Sequence, residues 1–150
     1  MEISLRFKHR TQQEGFSLTE LIVVMVIMGV ISAIAIPFYS QYMARNKLAE
    51  VASQLPLLRI QMEQFYQDNR TYIDGGGDCA ITMPTLDDFD ITCGNQTRTT
   101  YTLNAKNKYG VGLGAAGDYE YTLDQDGDAV TVKYGGSTVN ESCLRVGAQC

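Results

Sequence analysis

From Leu21 to Phe38 the chain reads L-I-V-V-M-V-I-M-G-V-I-S-A-I-A-I-P-F, eighteen residues without a charge, and no other feature restricts its folding as strongly. As a helix the run would span about 27 Å, close to the hydrocarbon thickness of a bilayer. Arg6, Lys8 and Arg10 precede it, and a basic flank places the N-terminus on the cytoplasmic side. A single membrane span is therefore expected. No small-residue cleavage site follows Phe38, so the run is expected to stay with the chain, unlike the apolar core of a secretory signal.

A plain anchor accounts poorly for three residues. Glu20 stands at the mouth of the run, where a carboxylate would cost roughly 2.5–3.5 kcal/mol at a span centre and less at the interface. Gly29 and Pro37 both weaken a helix, Pro37 by removing a backbone donor and crowding the preceding turn.

These residues carry a resemblance. G-F-S-L-T-E-L-I-V-V-M-V-I-M-G-V-I-S-A-I-A-I-P, from Gly15, resembles the N-terminal signature of type IV pilins and pseudopilins. It continues through R-N-K-L-A-E-V-A-S-Q-L and M-E-Q-F-Y-Q-D-N-R-T-Y to about Tyr72, and more loosely through T-T-Y-T-L. The chain looks type IVa-like and most similar to minor pilins of the PilE kind. Where the family usually has Thr-Leu-Ile-Glu, this chain has Ser17-Leu18-Thr19-Glu20, which keeps the carboxylate in place. Residues 75–98 and the C-terminal end are not covered specifically.

The resemblance implies a cleaved basic leader, 1–15, removed by a prepilin peptidase that cuts between Gly15 and Phe16 and methylates the new N-terminus of Phe16. It implies an inner-membrane prepilin that a pilus assembly platform draws into an extracellular filament of pilin subunits, for adhesion, twitching motility or DNA uptake. Glu20 then becomes an assembly determinant: its carboxylate in one subunit meets the Phe16 ammonium of the next. A charge in apolar surroundings is tolerable when paired, and such a pair fixes helix register. Gly29 and Pro37 become the points expected to unwind during extraction. No cofactor is implied.

Beyond the membrane or filament helix, 16–38, polar residues return while the helical period persists. Leu48, Val51, Leu55, Leu58, Met62 and Phe65 form one stripe, expected as core, with Lys47, Glu50, Gln54, Gln61 and Gln64 opposite. The amphipathic half, 39–74, is expected to be helical to about Gln67, with a kink or a lost hydrogen bond at Pro56 and termination at Asp68, Asn69 and Gly75–Gly77. A disulfide-tied connecting loop is expected over 75–98. Period two then appears in Thr100–Ala105, Asp118–Leu123 and Ala129–Tyr134, so 99–150 reads as an antiparallel sheet with a C-terminal disulfide region. The fold class is α+β, a long N-terminal helix packed on a small antiparallel sheet, the pilin fold.

Cys79, Cys93, Cys143 and Cys150 have no C-x-x-C pair, and His9 lies far from them, which argues against zinc. An even count beside an export-like N-terminus suggests two disulfides. Three pairings are possible; the local one, Cys79–Cys93 and Cys143–Cys150, is the expectation because each closes a short loop.

From Arg45 to Cys150 there are nine basic and fourteen acidic residues, net −5, which argues against broad contact with a phosphate backbone. DNA is thus a possible but less favoured partner. Gly112-Leu113-Gly114-Ala115-Ala116-Gly117 spells a dinucleotide-binding pattern, yet a strand pattern follows it, so a glycine-rich loop or bent edge strand is expected. Asp124-Gln125-Asp126-Gly127-Asp128 lacks the sixth-position glycine and twelfth-position glutamate of a calcium loop and reads as a hairpin turn. Asp87, Asp88 and Asp90 read as a solvated cluster. No catalytic set emerges, and no metal site is expected. The rival readings are a type II secretion pseudopilin, a DNA-receptor pilin and a plain anchor. Pseudopilins commonly carry calcium where such pilins carry a C-terminal disulfide, so Cys143 and Cys150 favour the pilus.

Overall fold

The computed structural model describes residues 15–77 and 79–150, which leaves all of the expected leader except Gly15 outside the described residues. One helix, α1, runs from Leu18 to Asn69, about 78 Å at 1.5 Å per residue. It continues through Gly29, Pro37 and Pro56 without a break. At Pro56 the missing donor costs one ladder bond, while Leu55 and Leu58 on either side hold that turn to the core. The helix ends where Arg70 adopts a left-handed φ of 58° and its N–H bonds the Tyr66 carbonyl at 2.8 Å. An arginine thus takes the position usually given to glycine, and the Gly75–Gly77 run lies beyond the helix end.

The chain divides into two units at Tyr39/Ser40. In the first, every described residue is exposed, and Ile22, Val24 and Ile27 each keep more than half of their surface open. The helix there is apolar all round, as expected of a span or of a helix covered by other helices.

The second unit contains the sheet. Strands β1 (Phe89–Gly94), β2 (Thr102–Asn107), β3 (Glu120–Asp124), β4 (Ala129–Tyr134) and β5 (Ser137–Glu141) lie in chain order, each antiparallel to the next. Alternation sends Phe89, Ile91, Leu103, Ala105, Tyr121 and Leu123 to one face. They meet the stripe Leu48, Val51, Leu55, Leu58 and Met62 of α1, together with Tyr72 and Tyr101, in one core. Phe65, the last residue of the expected stripe, is only half-buried.

Two expectations need correction, and one strand carried no sequence signal. The stretch 75–98 is not simply a connecting loop, because it contains β1, whose F-D-I-T pattern alternates buried and exposed. A fifth strand follows Gly135–Gly136; its S-T-V-N-E sequence is too polar to show a period, and backbone pairing with β4 defines it. Lys47 does not face solvent: it bends from the helix edge to Asp88 Oδ1 and the Val111 carbonyl, each at 2.7 Å. A long aliphatic stem allows this at the border of a buried stripe. The first two sheet strands expected are real but displaced by about two residues, β2 to Thr102–Asn107 and β3 to Glu120–Asp124.

Candidate functional site

At the N-terminal end of α1 the local chemistry is a capping box. The Ser17 hydroxyl accepts from Thr19 N–H at 3.3 Å, and Ser17 N–H donates to Glu20 Oε2 at 2.9 Å. The Ser17 carbonyl accepts the first helical bond from Leu21 N–H at 3.2 Å. Glu20 is therefore not without a partner within its own chain, and S-x-x-E ahead of an apolar run is the sequence signature of this motif. That signal was available at Ser17–Glu20 beside the family pattern. Phe16, 89% exposed, lies with Thr19, Glu20, Val23 and Val24 along one shallow apolar groove. Gly29 and Pro37 are both helical and exposed, and a Cβ at Gly29 would meet nothing within 4 Å.

In the body the structure joins Cys79 to Cys93, with Cα atoms 6.1 Å apart, and Cys143 to Cys150, at 5.9 Å. The first bond ties the segment after α1 to β1. The second closes the C-terminal loop, which Arg145 organises. Arg145 pairs with Glu141 at 2.9 Å, donates to the Gly147 and Ala148 carbonyls, and lies 4.1 Å above the Tyr134 ring. Buried Thr131 links this loop to the sheet: its hydroxyl donates to the Cys143 carbonyl at 2.6 Å and accepts from Arg145 N–H at 2.9 Å. Neither Arg145 nor Thr131 has a sequence signal, because their role depends on strands brought together by pairing.

The tempting motifs resolve locally. Gly112, Gly114 and Gly117 all take positive φ in a loop that leads into β3, not into a helix. Asp124 Oδ1 accepts from Asp126 N–H and Asp128 N–H, forming the β3–β4 turn with Gly127 at φ 90°. In the Asp87, Asp88 and Asp90 cluster, Asp88 holds Lys47 and Asp90 lies 3.6 Å from Lys108.

A tyrosine cluster closes the far end of the core. Tyr72 stacks on Tyr66 with centroids 4.5 Å apart, meets Tyr101 edge-on, and donates to Glu63 Oε1 at 2.8 Å. Burial pushes the Tyr101 phenol up to about 12, with the Glu63 carboxylate adding to it. Burial also raises Tyr121, whose hydroxyl donates to the Arg145 carbonyl at 2.7 Å, and Tyr72, where the Glu63 hydrogen bond adds to the effect.

Residues 10–36 match the family model of the prokaryotic N-terminal methylation motif, and residues 37–144 match that of the type IV minor pilin ComP, DNA uptake sequence receptor. This chain belongs to the type IV minor pilins. Its relatives include type IV major fimbrial proteins FimA of Dichelobacter nodosus. One is 32% identical over 81% of this chain and 71% of its own length, and another 31% identical over 91% and 76%. The fold resembles that of the non-core minor pilin PilV of Neisseria meningitidis, with a TM-score of 0.51 and 23% identity over 69% of this chain and 95% of PilV. As a minor pilin the chain is a structural subunit that assembles with other pilin subunits into filaments. It is a membrane prepilin first and part of an extracellular pilus afterwards.

Proposed function

We propose that prepilin peptidase cuts this minor pilin between Gly15 and Phe16 and methylates Phe16, and that the assembly platform then draws it into the filament through a Glu20–Phe16 contact between neighbouring copies. The observation that carries this reading is the pairing of a fully exposed apolar helix with a single carboxylate at its tip, next to Phe16. Cleavage would turn Phe16 into an ammonium within reach of a neighbour's Glu20. Glu20 would then exchange or share its Ser17 N–H bond, and a charge-assisted bond is roughly twice as strong as a neutral one. Gly29 and Pro37 lower the cost of opening the helix during extraction. The adhesive or motile role of the filament, and residues 16–38 as its buried core, belong to the same reading.

Two substitutions separate charge from capping. Glu20→Gln keeps an acceptor for Ser17 N–H and removes the charge, whereas Glu20→Ala removes both. Both variants are expected to insert in the membrane and to be lost from sheared filaments. Wild-type incorporation of Glu20→Gln would show that only the cap matters and would end the charge-pair reading. Mass spectrometry of the filament protein should find a chain that begins at methylated Phe16.

The family model favours a second reading, in which the body contacts duplex DNA. The net −5 from Arg45 to Cys150 opposes it in bulk, but net charge does not describe every face. Arg70 follows α1, and two residues later Tyr72 N–H bonds the carbonyl of Arg98 in the β1–β2 turn at 3.2 Å. Both arginines are exposed, and neither has an ion pair among the described residues. Thr97 and Thr100 brace the same turn through their hydroxyls at 2.7 Å. Fluorescence anisotropy with a labelled duplex should show binding that weakens with salt. Arg70→Ala with Arg98→Ala should lower the salt slope by about 2 if each meets a phosphate. An unchanged slope would remove these residues from the interface.

A further inference from the structure

We propose that the solvent-facing side of the sheet carries a groove for a neutral saccharide, with Tyr109 as its aromatic wall. Four adjacent strands place one charged residue each in a single row. Asp90 on β1 stands opposite Lys106 on β2, Lys106 opposite Glu120 on β3, and Glu120 opposite Lys133 on β4. With strands about 4.8 Å apart, the sign alternates across roughly 14 Å. Lys106 and Glu120 pair at 3.0 Å, and Lys108 lies 3.6 Å from Asp90. The neighbouring row, Thr92, Asn104 and Thr122, is polar and uncharged. With the loop after β2, this surface forms a cavity of about 440 Å³, lined in part by Thr92, Lys106, Tyr109, Glu120 and Lys133. That volume falls within the range of small-ligand clefts, about 300–1,000 Å³.

The loop that displays Tyr109 is held in place despite its glycines. Buried Asn107 donates to the Ala115 carbonyl at 2.8 Å and accepts from Tyr119 N–H at 2.8 Å. Gly117 N–H returns to the Asn107 carbonyl at 3.0 Å. Leu113 is buried in the core, and Lys47 holds the Val111 carbonyl. Ala115 N–H donates to Asp118 Oδ2 at 2.7 Å. Tyr109 is nonetheless 84% exposed. A braced loop that leaves a large aromatic ring open lowers the cost of contact, since only the ring's own rotation is left to be ordered when a ligand arrives.

The chemistry of the row identifies the ligand class. Carboxylates only accept hydrogen bonds when ionised, and ammonium groups only donate. Hydroxyl groups do both, so a polyhydroxylated ring can use two neighbours of the row at once, Glu120 as acceptor and Lys133 as donor. Lys108 adds a third lysine beside the row, but it is held by the Leu86 carbonyl at 2.6 Å and lies 3.6 Å from Asp90, so a phosphate-bearing strand would still meet Asp90 and Glu120 between the lysines. The C–H face of a pyranose provides the apolar surface that an exposed tyrosine ring lacks. This site does not depend on the DNA reading: it lies on the sheet face, whereas Arg70 and Arg98 belong to the helix end and the β1–β2 turn.

The test uses the full chain in a detergent free of sugar headgroups. Saturation-transfer NMR would be run with methyl β-galactoside, methyl α-mannoside, N-acetylglucosamine and lactose. At least one should bind with millimolar affinity, and Tyr109→Ala and Glu120→Gln should each weaken it by about tenfold, the loss of one good contact. Both variants should keep the wild-type melting temperature. The proposal is overturned if none of the four sugars binds, or if binding is unchanged in Tyr109→Ala. It is also overturned if only a duplex oligonucleotide perturbs the Tyr109 resonances.

Discussion

The two parts of α1 are helical for the same reasons and stable for different ones. Residues 18–39 are apolar on every side and bury nothing within their own unit. Residues 40–69 are apolar along one stripe, and five residues of that stripe are buried. The second part has its hydrophobic partner in its own chain; the first has to find one in lipid or in other subunits. Stability of the body should therefore ignore changes in the first part, and insertion or assembly should depend on them.

That contrast is most exposed by paired truncations. Leu55→Ala should destabilise the body by about 2–5 kcal/mol, because the cavity sits between helix and sheet. Ile27→Ala, read by the same denaturant titration of the detergent-solubilised chain, should change it by less than about 0.5 kcal/mol. Similar losses at both sites would show that residues 18–39 contribute to the stability of the body.

Polar ties within the body come next. Thr131→Val should cost about 1–3 kcal/mol, since the Cys143 carbonyl and Arg145 N–H lose their shared partner. Hydrogen exchange at Arg145 should accelerate more than exchange in β1. Lys47→Met should cost about 1–2 kcal/mol by stranding Asp88 and the Val111 carbonyl. At the other end of the helix, Ser17→Ala should cost about 1 kcal/mol of local helix stability and speed exchange at Thr19, leaving the unfolding midpoint of the body unchanged.

The smallest effect is confined to alkaline solution. The Tyr101 phenol is raised from 10.0 to about 12 in the folded chain. Below pH 10 both states keep the proton; between 10 and 12 the unfolded chain loses it first, so stability falls as pH rises through that window. Tyr101→Phe should make this fall shallower, with Tyr72 and Tyr121, also raised by burial, supplying the rest, and an equally steep fall would assign it to those groups alone.

Much of this was legible along the chain. The helix stripe from Leu48 to Met62 and strand β4 have local periods that tertiary contact did not override. β1 was equally periodic at Phe89–Thr92 but stood among cysteines, aspartates and glycines that suggested a loop. At the N-terminus, the family pattern drew Glu20 toward a neighbour's ammonium, while its immediate bond is to Ser17 N–H two residues from Gly15. The charged row of Asp90, Lys106, Glu120 and Lys133 could not be read at all, because its members are separated by up to 43 positions and become neighbours only through strand register.

Residue order alone determined the apolar helix, its carboxylate tip and the buried stripe, because each rests on contacts within one or two helical turns. Folding decided which lysine turned inward, which loop was braced and which face gathered alternating charge. Those outcomes depend on distant segments meeting, and a local period carries no information about the partner it will meet.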